Sequence, residues 1–183
     1  MRIISGTARG TKLFTLDGVQ TRPTLDRVKE SLFSILQTKI PDAIVLDLFS
    51  GSGALGLESI SRGATKAVLC DNSYQAIRII KQNVEKTKTK QHVEILHLDY
   101  KKAIEKLKEE QQKFNIVFLD PPYKKNLLVD AILRIQEANL LESDGIFIAE
   151  TDENEVIEEI KNLNNIYDYR NYGRVTLIFG RSN

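Results

Sequence analysis

From residue 44 onward, hydrophobic and polar positions follow two alternating rhythms. Five short runs, "AIVLDLF" (43–49), "KAVLCD" (66–71), "HVEILHL" (92–98), "FNIVFLD" (114–120) and "GIFIAE" (145–150), are β-branched or aromatic with few charges. Such runs predict strands covered on both faces. The mixed segments between and after them, roughly 54–62, 73–87, 100–111, 126–138 and 153–162, read as helices. Five such alternations imply a parallel sheet wound by right-handed crossovers. The end of the chain breaks the rhythm: "IYDYRNYG" and "RVTLIFG" meet around Tyr172 to Arg174 with no helix between them, which predicts an antiparallel hairpin.

The start of the chain is also different. In "RIISGTARGTKLFTLDGVQ" (2–20) short apolar clusters are separated by Gly6, Gly10 and Gly18, so residues 1–20 are expected to form a β-hairpin extension or a small three-stranded piece. "TRPT" ends that pattern, and Thr24 is the expected N-cap of a helix with apolar positions Leu25, Val28, Leu32, Ile35 and Leu36, closing before Pro41. Residues 21–183 are then one α/β domain with a leading helix. There is no internal repeat, low-complexity segment or long linker.

Composition narrows the class. With 183 residues, 42% of them hydrophobic and 28% charged, the chain can bury a sizeable core. It has no run of 18 apolar residues and no signal-peptide pattern, so it is expected to be soluble, cytoplasmic and without a membrane partner. One cysteine, Cys70, cannot make a disulfide framework, and with only His92 and His97 no metal site is expected. The net charge of +1 conceals an uneven distribution. Residues 1–29 carry Arg2, Arg9, Lys12, Arg22, Arg27 and Lys29 against Asp17 and Asp26, whereas Glu142 to Glu159 contains eight acids and no Lys or Arg. A basic leading segment on a near-neutral chain fits a local polyanion contact; an ordinary solvated face fits as well.

"LDLFSGSGALGLES" places Gly51, Gly53 and Gly56 directly after the first strand and at the start of a helix. These glycines let a ligand approach the backbone, and the helix start offers free N–H groups to an anion. Asp71, at the tip of the second strand, can accept hydrogen bonds from both ribose hydroxyls. A dinucleotide and S-adenosylmethionine both fit this pattern. Asp47 favours the second, because an acid beside the loop repels a pyrophosphate and attracts an ammonium group. The terminal antiparallel hairpin points the same way. Ser50 and Asn72 flank the same elements, and Asp99 ends the third strand, where it serves an adenine amino group, caps the next helix, or does both.

The fourth strand runs into Asp120, Pro121, Pro122 and Tyr123 at the sheet edge where ligands of open α/β sheets bind. An exocyclic amine on a nucleobase is a poor nucleophile, its lone pair being delocalised into the ring. Two acceptors that grip both amine hydrogens turn that pair toward a methyl donor. Asp120 supplies one and the Pro121 carbonyl the other. Pro122 helps to hold that carbonyl extended, and Tyr123 offers a stacking face worth about 1–3 kcal/mol. The alternative is a strand-ending turn that happens to contain an acid.

Taken in order, "LDLFSGSGALGLESISRGA", "DNS" and "DPPY" resemble class I methyltransferases acting on amino nitrogens. The leading "RIISGTARGTKLFTLDGVQTRPTLDRVKESLFSIL" resembles, more particularly, the bacterial small-subunit ribosomal RNA guanine-N2 methyltransferases of the RsmD type, over nearly the whole chain. The resemblance implies a Rossmann-like, mostly parallel seven-stranded sheet. It also implies transfer of one methyl from S-adenosylmethionine to the N2 amine of a guanine in 16S rRNA within a small-subunit assembly particle, leaving S-adenosylhomocysteine, by an expected monomer. On the same basis Asp47, Gly51, Gly53, Asp71 and Asp99 are donor-site residues, Asp120 to Tyr123 catalytic, and Arg9, Gly10, Arg22, Thr24, Asp26 and Arg27 part of a motif for rRNA contact and closure over the donor. For Asp26 and Arg27 an ion pair fastening the helix to the core is an equal reading. "HLDY" departs from the family, which more often has a small or amide residue before the acid. A DNA adenine-N6 methyltransferase would use the same chemistry but needs a target-reading domain for which the chain has little room. A protein glutamine methyltransferase usually has Asn in place of Asp120. A non-catalytic ribosome-assembly factor is the remaining alternative.

Overall fold

A computed structural model describes residues 1–16, 23–122, 127–163 and 165–182, with residues 23–26 described through their backbone. The elements run α1 (Pro23–Ile35), β1 (Ile44–Asp47), α2 (Ala54–Ser61), β2 (Lys66–Asp71), α3 (Tyr74–Thr87), β3 (Val93–His97), α4 (Tyr100–Glu109), β4 (Phe114–Leu119), α5 (Leu127–Glu137), β5 (Leu141–Thr151), α6 (Asn154–Lys161), β6 (Ile166–Tyr172) and β7 (Val175–Arg181). The seven strands form one sheet in the order β3-β2-β1-β4-β5-β7-β6. The pairs through β5 are parallel, and β7 runs antiparallel to both β5 and β6. This is the Rossmann-like sheet with a terminal hairpin that the alternation of runs predicts.

Successive side chains of a strand point to opposite faces, and the two cores divide accordingly. Val45, Leu69, Ile116, Phe118 and Ile148 join Leu32, Leu57 and Ile80 on the α1, α2 and α3 side. Leu46, Val68, Val117, Leu119 and Phe147 join Ile104, Ile132 and Ile160 on the α4, α5 and α6 side. Burial on both faces explains why the inner strands β1, β2 and β4 read as apolar runs, while the edge strands β3 and β6 are less covered.

Three local differences from the pattern have physical causes. The structure starts α1 at Pro23, so Thr24 lies in the first turn and not at the N-cap. Proline suits that position because an N–H there has no intrahelical partner to lose. The strand expected at 145–150 extends back to Leu141, with a register shift opposite Phe114 and Ile116. The irregular register accommodates the polar "ESDG" segment (142–145) within the pairing.

The leading segment makes one isolated antiparallel bridge, Arg2 with Lys12, flanked by bonds from Ile3 N–H to the Thr11 carbonyl (3.0 Å) and from Leu13 N–H to the Met1 carbonyl (3.1 Å), so its pairing is a short hairpin without extended strands. Other N–H groups of the segment reach α2. The N–H groups of Ile4 and Ser5 donate to the Glu58 carboxylate (2.8 and 3.0 Å), Thr7 N–H to the Ser61 carbonyl (2.8 Å) and Ala8 N–H to Ser61 Oγ (2.9 Å). The segment is thereby stitched along α2, while Ile3, Ala8 and Leu13 enter the core beside α1.

Candidate active site

Strand order reverses between β1 and β4, so the chain leaves these neighbouring strands in opposite directions and opens a crevice at their carboxyl ends. A cavity of about 650 Å³ occupies it. Each parallel strand delivers an acid to its lining: Asp47 from β1, Asp71 from β2, Asp99 after β3, Asp120 after β4 and Glu150 from β5.

The glycine loop bridges β1 and α2. Gly51 and Gly53 have φ of +54° and +77°, a conformation that side-chain-bearing residues rarely adopt. Gly56 serves a different need, since a Cβ there would lie 2.2 Å from the Leu69 side chain, so only glycine lets α2 press onto β2. Asp71 holds the loop in place: its two oxygens accept from Gly51 N–H (2.9 Å) and Ser73 N–H (2.8 Å). A carboxylate has about four lone-pair sites, so Asp71 keeps acceptor capacity for a ligand's hydroxyls. Ser50 is buried and donates its hydroxyl to the Asp47 carbonyl at 2.6 Å. Asn72 is exposed at the rim.

Asp47 is only 1% exposed and accepts from Gly56 N–H at 3.2 Å. Burial pushes its pKa up to about 7, reinforced by the charges of Asp120 and Asp71 and opposed by the Gly56 hydrogen bond. A cationic group in the cavity would relieve this by favouring the ionised form. Asp99 caps α4, accepting from Lys101 N–H at 2.9 Å, and lines the cavity as well.

Asp120 is half-buried, Pro121 buried and Pro122 exposed, and all three face the cavity. Burial raises Asp120 to about 6. Tyr123 and Arg22 lie outside the described residues, as do the side chains of Thr24 and Asp26. Arg27 is exposed on α1, two residues before cavity-lining Lys29. Arg9 is exposed next to Ala8, whose N–H is tied to Ser61 at the last residue of α2. The glycine loop adjoins the other end of that eight-residue helix, about 12 Å away at 1.5 Å per residue, so Arg9 stands apart from the cavity.

Several contributors went unread in the sequence. Glu150 ends the apolar run "GIFIAE" just as Asp47, Asp71 and Asp120 end theirs; that shared position was its signal, obscured by the acidic stretch that follows. Lys29, 5% exposed, pairs with the fully buried Glu58 at 3.1 Å and donates to the Arg2 carbonyl at 2.7 Å. Arg62 pairs with the other Glu58 oxygen at 2.7 Å. Asn83 of α3, fully buried, accepts from Phe14 N–H (2.8 Å) and donates to the carbonyls of Phe14 and Ser52 (both 2.9 Å), joining the leading segment to the glycine loop. Met1, Thr15 and Leu16 complete that wall of the cavity. Arg62 stands four residues after Glu58, a spacing visible in the sequence; the other partners are long-range and have none that a linear reading could detect.

A glycine loop after β1, an acid at the tip of β2 and Asp-Pro-Pro after β4, on a parallel sheet ending in an antiparallel hairpin, define a Rossmann-like methyltransferase fold. The family described as conserved hypothetical protein 95 matches residues 1–181. Ribosomal RNA small subunit methyltransferase D of Escherichia coli K12 is 40% identical over 145 residues, covering 79% of this chain and 68% of that protein. YlbH of Bacillus subtilis 168, a candidate rRNA methyltransferase, is 38% identical over 152 residues, 83% of each chain. The solved structure of the candidate methyltransferase yhhF from E. coli superposes with a TM-score of 0.81 at 29% identity, covering 100% of this chain and 98% of that one. The chain belongs to this family, the RsmD family of methyltransferases.

Proposed function

We propose that the protein transfers one methyl group from S-adenosylmethionine to the exocyclic N2 amine of a guanine in 16S rRNA, within a small ribosomal subunit or its assembly intermediate. The observation that carries this is the position of Asp120-Pro121-Pro122 in the same cavity as the glycine loop, Asp47 and Asp71. The donor supplies a methyl on a positively charged sulfur; its carbon–sulfur bond breaks as the nitrogen–carbon bond forms, leaving S-adenosylhomocysteine.

The chain's own groups divide the remaining work. The glycine loop and the start of α2 offer N–H groups to the donor's carboxylate, Asp47 offers charge to its ammonium, Asp71 acceptors to its ribose, and Asp99 and Asn72 polar atoms at the adenine end. Asp120 and the Pro121 carbonyl accept the two amine hydrogens and turn the lone pair outward. With a pKa near 6, Asp120 is ionised at neutral pH and accepts without having to be a strong base. Once methylated, the nitrogen is cationic and acidic, and its surplus proton passes to Asp120 or water. Tyr123 is assigned the stacking face, and Arg22 and Arg27 the RNA backbone beside the target. Arg9, about one helix length away, is assigned a more distant phosphate.

The relatives named as ribosomal RNA methyltransferases support an rRNA substrate. Labelled S-adenosylmethionine should be offered in parallel to small subunits lacking the modification, protein-free 16S rRNA and unmethylated duplex DNA. N2-methylguanosine formed fastest on subunits is the expected product. N6-methyladenine in DNA would replace the proposal with the adenine reading, and donor binding without product on any substrate would favour a non-catalytic assembly factor.

A further inference from the structure

We propose that Glu150 is a positioning residue for Asp120, donating a hydrogen bond to one of its oxygens so that the other faces the substrate amine. The inference rests on the role of Asp120 given above and adds a residue to it. β4 and β5 are parallel neighbours with Leu119 registered against Ala149. Continued by one residue, this register sets Asp120, immediately after β4, beside Glu150 of β5. Both line the cavity.

The surroundings decide where the proton resides. Around Glu150 stand Asp120 from β4 and Asp152 beyond the end of β5, with Leu177 and Thr176 of β7 opposite Glu150 and Thr151. Asp47 of β1 and Lys29 of α1 share the cavity, Lys29 being engaged with Glu58 and the Arg2 carbonyl. Two adjacent half-buried carboxyls resist ionising together. Burial, then the charge of Asp120 and then that of Asp152, push Glu150 up to about 8, whereas burial leaves Asp120 near 6. Near neutral pH two such neighbours keep one proton between them, and we place it on Glu150, beside which Asp152 adds a second negative charge. A protonated carboxyl is a donor and an ionised one accepts only. Glu150 thus ties down one Asp120 oxygen and leaves the second for the amine; above pH ~8 it loses its proton and the arrangement becomes two repelling anions.

The first test is independent of the substrate: carbon-13 carboxyl titration of the free protein, with the Glu150 resonance identified by its loss in Glu150→Gln. It is expected to titrate well above the ordinary glutamate range, and titration near pH ~4.3 would overturn the proposal. The second compares pH profiles of methyl transfer per unit of subunit concentration. Glu150→Ala should lower kcat about 10²-fold at pH 7 with little change in the KM for donor. Glu150→Gln, which still carries a donor, should restore most of that loss and should lack the wild-type decline above pH ~8, with the acidic limb set by Asp120 unchanged. Equal rates for the Ala and Gln variants, or an alkaline limb surviving in Glu150→Gln, would refute the positioning role. If wild type methylates no substrate, the proposed function fails and the titration alone decides this inference. If wild type is active and Asp120→Ala is not, indifference to Glu150 refutes the inference alone.

Discussion

Asn83→Ala tests whether the leading segment and the glycine loop are held by one buried side chain. The amide makes three bonds of 2.8–2.9 Å to main-chain atoms of Phe14 and Ser52, from a residue with no exposure. Each such bond contributes about 1 kcal/mol net, and a group left buried without a partner costs about 1–3 kcal/mol. Water can reach Phe14, whose residue is 48% exposed, so the cost there should stay near the lower figure. The sum for the three bonds is about 3–4 kcal/mol, including a small cavity term. Urea unfolding should therefore show a lowered midpoint with an unchanged slope. Releasing Ser52 from its amide partner should also weaken S-adenosylmethionine binding about tenfold, roughly 1.4 kcal/mol, as read by calorimetry on the folded variant. Asn83→Asp is the sharper comparison. It keeps the shape and the acceptor for Phe14 N–H but turns an oxygen toward two carbonyls, so it should be at least as damaging as the alanine. A stability loss under ~1 kcal/mol for Asn83→Ala, or a benign Asn83→Asp, would show that packing and not these bonds joins the segments.

Asp120→Ala should retain donor binding and lose methyl transfer by a factor on the order of 10²–10⁴; abolished donor binding in a folded variant would mean the residue holds the donor instead. At Gly6, φ is +82° and an added Cβ would lie 1.7 Å from the Ser61 carbonyl oxygen. Gly6→Ala should accordingly cost about 2–4 kcal/mol by lifting the leading segment off α2, visible as a lowered melting temperature and faster proteolysis before residue 14, and an unchanged melting temperature would refute that seating. Asp47 has a folded pKa near 7 against 3.8 when unexposed to the fold's influence, so between these values the native state binds more protons than the unfolded one. Its contribution is fully present below pH ~4 and is lost as pH rises through ~7. Unfolding free energies measured at pH 5 and 8 should show Asp47→Asn flattening part of that decline, and an identical slope in both proteins would count against a buried, proton-holding Asp47.

The order of strands and helices was legible in the sequence because the inner parallel strands β1, β2 and β4 are covered on both faces and so carry apolar runs, as "KAVLCD" does, whereas the edge strand β3 (VEILH) is largely half-buried. The site was legible to the extent that it lies on strand ends and in the turn after β1. Asp47, Gly51, Asp71 and Asp120 occupy such positions and line one cavity, and the chemistry of acid, glycine and proline is local enough to be read in order. The leading segment was less so: apolar clusters between glycines suggest pairing, which is limited to one bridge, but they do not reveal that Glu58 and Ser61 accept the N–H groups of Ile4, Ser5 and Ala8.

What the sequence determined by itself were the properties set by neighbours in the chain: strand and helix periodicity, the glycine turn, the rigid Asp-Pro-Pro ending. What only the tertiary structure decided was which of these ends meet. Register on β4 and β5 set Glu150 beside Asp120, packing of α2 on β2 required Gly56, and burial of Asn83 united Phe14 with Ser52 across 31 and 69 residues of chain. The reason is physical: the strength and proton occupancy of a polar group depend on its solvent exposure and on charges a few ångströms away, and both are properties of the folded arrangement.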